Sequence, residues 1–104
     1  MLRKAKTGDV KWIHRIINLS AAKGEMLPRS LMDLYSCLRE FYVYMEEEEG
    51  PIVGVVAMHL FWENLAEVRS LYVQDEYRRK GIGKKLVEAC ISEAITLGIY
   101  RIFA

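Results

Sequence analysis

"SLYVQDEYRRKGIGKKLVEAC", Ser70 to Cys90, decides the reading of this chain. It begins as a strand-like run and ends as a helix, with Ile82, Leu86 and Cys90, then Ala94 and Leu97, recurring on one face. Lys84, Lys85, Glu88, Ser92 and Glu93 fall elsewhere on that helix, and Gly98 ends it. Arg78, Arg79, Lys80, Gly81 and Gly83 stand at the joint. A helix's first N–H groups lack internal partners and, with the helix dipole, favour an anion. Glycine at 81 and 83 removes the Cβ atoms that would hold a phosphate off the backbone, and the three cations add charge close by. The joint therefore reads as a phosphate site, against the plainer alternative of a turn with a solvated basic rim. A Walker loop is excluded, because the glycine spacing is wrong and Lys85 follows Gly83-Lys84 in place of Ser or Thr. The dinucleotide fingerprint fails as well, with Leu86 where its third glycine belongs.

Upstream, Met1 to Lys6 is a short strand candidate, and "TGD" supplies a turn with Thr7 or Asp9 as a helix cap. Val10, Ile13, Ile16 and Ile17 follow at helical spacing, closed by Gly24. "MLPRSLMDLYSCLREF" predicts a second helix with Pro28 in its first turn and Leu31, Leu34, Tyr35 and Leu38 on its apolar face. "FYVYM", "IVGVVAMHLFW" and "LAEVRSLYV" are strands with short links, an antiparallel meander whose middle member is apolar on both faces. Downstream, "IYRIFA" begins a strand that a crossover should make parallel to the one before the helix. The expected fold is a mixed α/β (α+β) layer of order β-α-α-β-β-β-α-β, one domain over residues 1–104.

The totals fit. At 52% hydrophobic and 28% charged residues with two prolines, the composition is globular. A net charge of +1 argues against a general nucleic-acid binder. No signal peptide or membrane span is read, and Cys37 and Cys90 form no metal-binding pattern, so the reading is soluble and cytoplasmic, with no metal.

Arg78, Gly81 and Gly83 take the fixed positions of Gln/Arg-x-x-Gly-x-Gly/Ala, so "VQDEYRRKGIGKKLVEACISEA" resembles the acyl-CoA-binding motif of the GNAT superfamily of N-acetyltransferases. The order of elements fits that family along the whole chain. "GEMLPRSLMDLYSCLREFYV", "GVVAMHLFWENLAEVRSLYV" and "EAITLGIYRIF" are more narrowly similar to the acetyltransferase domain of amino-acid N-acetyltransferases, the N-acetylglutamate synthases. The resemblance implies acetyl-CoA as cosubstrate, glutamate as acceptor and a place in arginine biosynthesis. It implies that the loop and helix start, Arg78, Arg79, Lys80, Gly81, Ile82, Gly83 and Lys84, hold the pyrophosphate, while Leu71, Tyr72 and Val73 pair with the pantetheine arm. The Val73 N–H would polarise the acetyl carbonyl.

Acetyl transfer to an amine needs a base for the ammonium, a donor to the carbonyl oxygen and two partners held in attack geometry. No Cys-His or Ser-His arrangement suggests a covalent intermediate, so direct attack is the simpler route. Glu67 is the candidate base, where desolvation between Ala66 and Val68 would raise its pKa and Arg69 would oppose the rise. Arg29 and Arg69 suit a dicarboxylate acceptor, since a guanidinium grips a carboxylate through two hydrogen bonds. Arg29 matches the substrate-contacting arginine of the synthases, and Ser70 a substrate-lining position. Strict alternation would put Glu67, Arg69, Leu71 and Val73 on one strand face unless a bulge intervenes. His14 and His59 are read as structural, Glu46 to Glu49 as a solvated turn, and Tyr42, Tyr44, Tyr72 and Tyr77 as packing residues.

The synthase domain normally continues past "RIFA" with another helix and further strands, carrying more acceptor contacts and the usual acid for the leaving thiolate. The last strand would then be exposed, open to pairing in a homodimer or with another chain. Two rivals stand beside the glutamate acetyltransferase: a CoA-binding or interaction module without turnover, and a GNAT enzyme for another amine.

Overall fold

The computed structural model describes residues 1–104. Strands β1 (Leu2–Lys4), β2 (Phe41–Met45), β3 (Ile52–Trp62), β4 (Leu65–Val73) and β5 (Ile102–Phe103) lie side by side in chain order. Every neighbouring pair is antiparallel except β4 with β5, as the crossover argument requires. Helices α1 (Val10–Ala22) and α2 (Leu31–Ser36) precede β2, and α3 (Ile82–Leu97) joins β4 to β5.

The sheet separates two apolar layers. Ile13, Ile17 and Leu34 of the first two helices pack with Phe41, Val43, Val55 and Tyr72. On the opposite side Ile82, Leu86, Cys90 and Ala94 of α3 pack with Val56, Met58, Ala66 and Val68. Covered on both faces, β3 buries every residue from Ile52 to Met58. Gly54 lets α3 settle there, because a Cβ at that position would lie 3.1 Å from Leu86 and 3.2 Å from Ile82. The head of α3 is thereby pinned over the end of β4.

Three local expectations change. The second helix is six residues long, not sixteen: Ser30 Oγ accepts from the Asp33 amide at 3.0 Å and starts it at Leu31, leaving Pro28 outside. Leu34 is buried, Leu38 is half-buried in a following 3-10 turn, and Leu31 and Tyr35 are exposed. Leu97 leaves the buried face of α3, and Ile99 fills the layer instead. Asp9 does stand at the N-cap position of α1, after a 3-10 turn over Thr7–Asp9, but its side chain makes no capping bond to the helix.

Asp9 turns back to accept from Arg3 Nη1 at 2.7 Å, Arg3 Nη2 at 3.0 Å and the Lys6 amide at 2.7 Å, tying β1 to the start of α1. The hydrogen-bonded Arg3 guanidinium holds the Asp9 carboxyl below its ordinary value of 3.8. The folded chain therefore binds fewer protons than the unfolded one at this group. Its contribution is complete above that ordinary value and is lost as the pH falls below it. Asp9→Asn should cost about 1–3 kcal/mol at pH 7. The gap in denaturation midpoint between the two proteins should narrow on acidification from pH 5 toward pH 2, and a constant gap would refute the pairing.

Cys90 is buried on the sheet-facing side of α3, and desolvation pushes its thiol up to about 11. Cys37 is also a free thiol, partly exposed. No helix is long and apolar enough to cross a membrane.

Candidate active site

Two clefts meet at a fault in β4. The ladder runs Ala57 to Arg69 and then Val55 to Tyr72, so Ser70 and Leu71 together oppose the single residue Val56. Ser70 has φ 56°, a left-handed conformation rare for a residue with a side chain. This bulge reverses the strand's facing. Before it, Ala66 and Val68 face α3 while Glu67 and Arg69 face the other layer. After it, Tyr72 joins the α1 and α2 layer and Val73 packs on the α3 side. Strict alternation is thereby corrected: Val73 does not share a face with Glu67 and Arg69. Ser70 lines one cleft and Leu71 the other.

The first cleft, about 320 Å³, is bounded by Leu71, Tyr72 and Val73 of β4, by Tyr77, Arg78 and Arg79 of the loop, and by Gly81, Ile82 and Gly83 at the head of α3. Gly81 sits at φ 81°, a turn that favours glycine, and its carbonyl takes the Lys85 amide at 3.1 Å. The amides of Ile82, Gly83 and Lys84 donate to no protein acceptor. A Cβ on Gly83 would meet only Val73 Cγ2, at 3.8 Å. The helix head is thus a row of free donors with little in front of it.

Its cations are arranged less simply than the sequence suggests. Arg78 folds back on its own loop at the surface, donating from Nε to the Val73 carbonyl at 2.8 Å and pairing with Asp75 at 3.1 Å. Lys80 lies outside the cleft, 3.8 Å from Glu46 and above the Tyr77 ring, and the exposed Lys84 contributes its amide rather than its side chain. Arg79 alone of the three loop cations makes no ion pair. Tyr77, read from sequence as packing, lines the cleft, and nothing in the local pattern distinguishes it.

Val73 presents its backbone to the sheet's outer edge. The Gln74 amide donates to Val53 on β3 at 2.8 Å, and successive strand residues point their N–H groups to opposite edges. β5 pairs only with Ala66 and Glu67, so this edge has no neighbouring strand near Val73.

The second cleft, about 430 Å³, gathers Glu67, Arg69 and Ser70 from β4 with Met26, Leu27, Pro28 and Arg29 from the segment ahead of α2. Arg69 donates to Glu67 Oε1 from Nε at 2.9 Å and Nη2 at 2.7 Å, leaving Oε2 without a protein partner. Arg29 Nη1 donates to Ser70 Oγ at 3.3 Å, and its Nε to Asp33 at 2.7 Å. Ser70, at its positive φ, has its hydroxyl toward Arg29. Glu67 does not lie between Ala66 and Val68 in space, since those two face the other layer. His59 is held by Glu40, Nδ1 to Oε2 at 2.8 Å, and lines neither cleft.

One cleft therefore offers unpaired donors suited to a phosphorylated ligand, and the other offers guanidinium and carboxylate groups suited to a small zwitterion. Among known proteins, the model of the acetyltransferase (GNAT) family matches residues 13–104. An uncharacterized N-acetyltransferase of Chlorobaculum tepidum is 35% identical over 98% of this chain and 64% of its own length. The amino-acid acetyltransferase of Mycobacterium tuberculosis is 32% identical over 99% of this chain and 59% of its own. N-acetylglutamate synthase from Neisseria gonorrhoeae, solved with coenzyme A and N-acetyl-glutamate, superposes with a TM-score of 0.91 at 28% identity over 98% of this chain and 24% of that one. The chain thus spans about three-fifths of the shorter relatives and about a quarter of the long synthase.

Proposed function

The chain belongs to the GNAT acetyltransferase family, and from that premise we propose that it transfers the acetyl group of acetyl-CoA to the α-amino group of an amino acid, L-glutamate, by direct attack. The observation that carries this is the bulge, which sets consecutive residues, Ser70 and Leu71, in the walls of two clefts of complementary chemistry. The free amides of Ile82, Gly83 and Lys84 suit the diphosphate of CoA, with Arg79 as the available cation and Arg78 shaping the loop. Leu71, Tyr72 and Val73 offer backbone to the pantetheine arm, which would lie along the outer edge of β4.

Arg29, Arg69 and Ser70 bind the acceptor's carboxylates in this reading. Glu67 Oε2 takes the ammonium proton, directly or through a water. The freed amine attacks the thioester carbon while the Val73 N–H donates to the carbonyl oxygen, and the C–S bond breaks as the C–N bond forms. The departing thiolate takes up the second proton, which the nitrogen sheds as it becomes an amide, so the products are the N-acetyl amino acid, CoA thiol and protonated Glu67. An L-glutamate acceptor would put the reaction in arginine biosynthesis and in the cytoplasm, with which two free cysteines are compatible.

Calorimetry with CoA, then acetylation of a panel of amino acids, tests the reading. Binding with turnover of L-glutamate supports it; turnover of a different amine transfers the function to that amine. Binding without turnover would make the chain a CoA-binding module. Arg29→Ala should raise the acceptor's KM by about tenfold to fiftyfold with little change for acetyl-CoA, as expected for losing charge-assisted hydrogen bonds. Equal effects on both constants would remove Arg29 from the acceptor site.

A further inference from the structure

Arg29 is held at both ends. Asn18 Nδ2 on α1 donates to the Arg29 carbonyl at 3.0 Å and to the His14 carbonyl at 2.8 Å, fixing the backbone that carries the side chain. At the other end Asp33 Oδ2 accepts from Nε at 2.7 Å, and the guanidinium lies 5.2 Å from the centre of the Phe41 ring. Asp33 is itself anchored: its amide donates to Ser30 Oγ at 3.0 Å, and Cys37 Sγ lies 3.6 Å from Oδ1. A guanidinium offers a carboxylate either its Nε side or its Nη end. With Nε taken by Asp33, only the Nη end remains, and Nη1 already reaches Ser70 in the acceptor cleft.

We propose that Asp33 is a positioning residue that locks Arg29 end-on toward the acceptor cleft, and so governs acceptor affinity without touching the acceptor; this rests on the acceptor site assigned above. An arginine free to rotate loses conformational entropy on gripping its ligand, whereas one locked in advance does not. Asp33 and an acceptor carboxylate use different edges of the guanidinium, so the carboxylate orients Arg29 more than it competes for it. At 44% exposure the Asp33 side chain can be replaced without opening the core.

Steady-state kinetics with L-glutamate and acetyl-CoA on the wild type, Asp33→Ala and Asp33→Asn decide the matter. Asp33→Ala should raise the L-glutamate KM about fivefold to tenfold, with kcat and the acetyl-CoA KM within about twofold, the cost of re-ordering one long side chain. Asp33→Asn keeps an oxygen for Nε and should restore the acceptor KM to within about threefold of wild type. An unchanged or lower acceptor KM in Asp33→Ala, or equal rises in both Michaelis constants, overturns the inference and leaves the acceptor site standing. A wild-type chain that turns over no amino acid overturns that site, and this inference with it.

Discussion

Replacing Gly83 by Asp is expected to abolish CoA binding while leaving the fold as stable as before, or slightly more so. Gly83 stands in the first turn of α3, where a carboxylate interacts favourably with the helix dipole by about 0.3–1 kcal/mol. The position is not strained, and its Cβ would find only Val73 Cγ2, at 3.8 Å. Yet the same carboxylate would place a negative charge and its bulk before the free amides of Ile82, Gly83 and Lys84. Losing two charge-assisted hydrogen bonds, each worth roughly 1.5–3 kcal/mol, corresponds to a dissociation constant raised about a hundredfold or more. Calorimetry with CoA beside thermal denaturation separates the two effects. Retained binding would mean that the helix head does not carry the diphosphate; a collapse in thermal stability would mean that the position is structural.

The second large effect is on turnover. Glu67→Gln keeps the shape of the side chain and an oxygen for Arg69, but the amide cannot accept the ammonium proton. Loss of a positioned base lowers rates by about 10²–10⁴, so kcat should fall by that order while both Michaelis constants stay within a few-fold. Unaltered turnover at saturating substrates across the pH range would assign the proton to another acceptor. Arg69 remains beside the amide in this variant, so a rise confined to the acceptor KM would point to a binding role for Glu67 instead.

These outcomes depend on features that differ in how visible they are in the chain. The strand-to-helix joint was legible because its causes are local. Gly81 must turn left-handed at that point, the first amides of any helix lack partners, and Ile82, Leu86, Cys90 and Ala94 bury one face wherever that face packs. Hydrophobic patterning likewise indicated a central β3 and a parallel final pair. The second helix was overdrawn because periodicity alone does not weigh a Ser30 cap against a Pro28 start. The Arg29–Asp33 pair sits at the i,i+4 spacing that the longer helix would also offer, but in the structure it spans the Ser30 cap, with Arg29 ahead of the helix and aimed across the cleft.

The residues of Ser70 to Cys90 by themselves determined that this protein has a helix head ready for an anion, since orphan amides and glycines act over a few residues. Tertiary structure alone decided which strand residues face that head and which face the acceptor cleft. That depends on the two-for-one register of Ser70 and Leu71 against Val56, a partner on another strand that no local pattern specifies. It also decided where Arg78 and Arg29 are aimed, because Glu25 near Arg78, and the Ser70 hydroxyl and Phe41 ring that face Arg29, lie far along the chain and meet them only on folding.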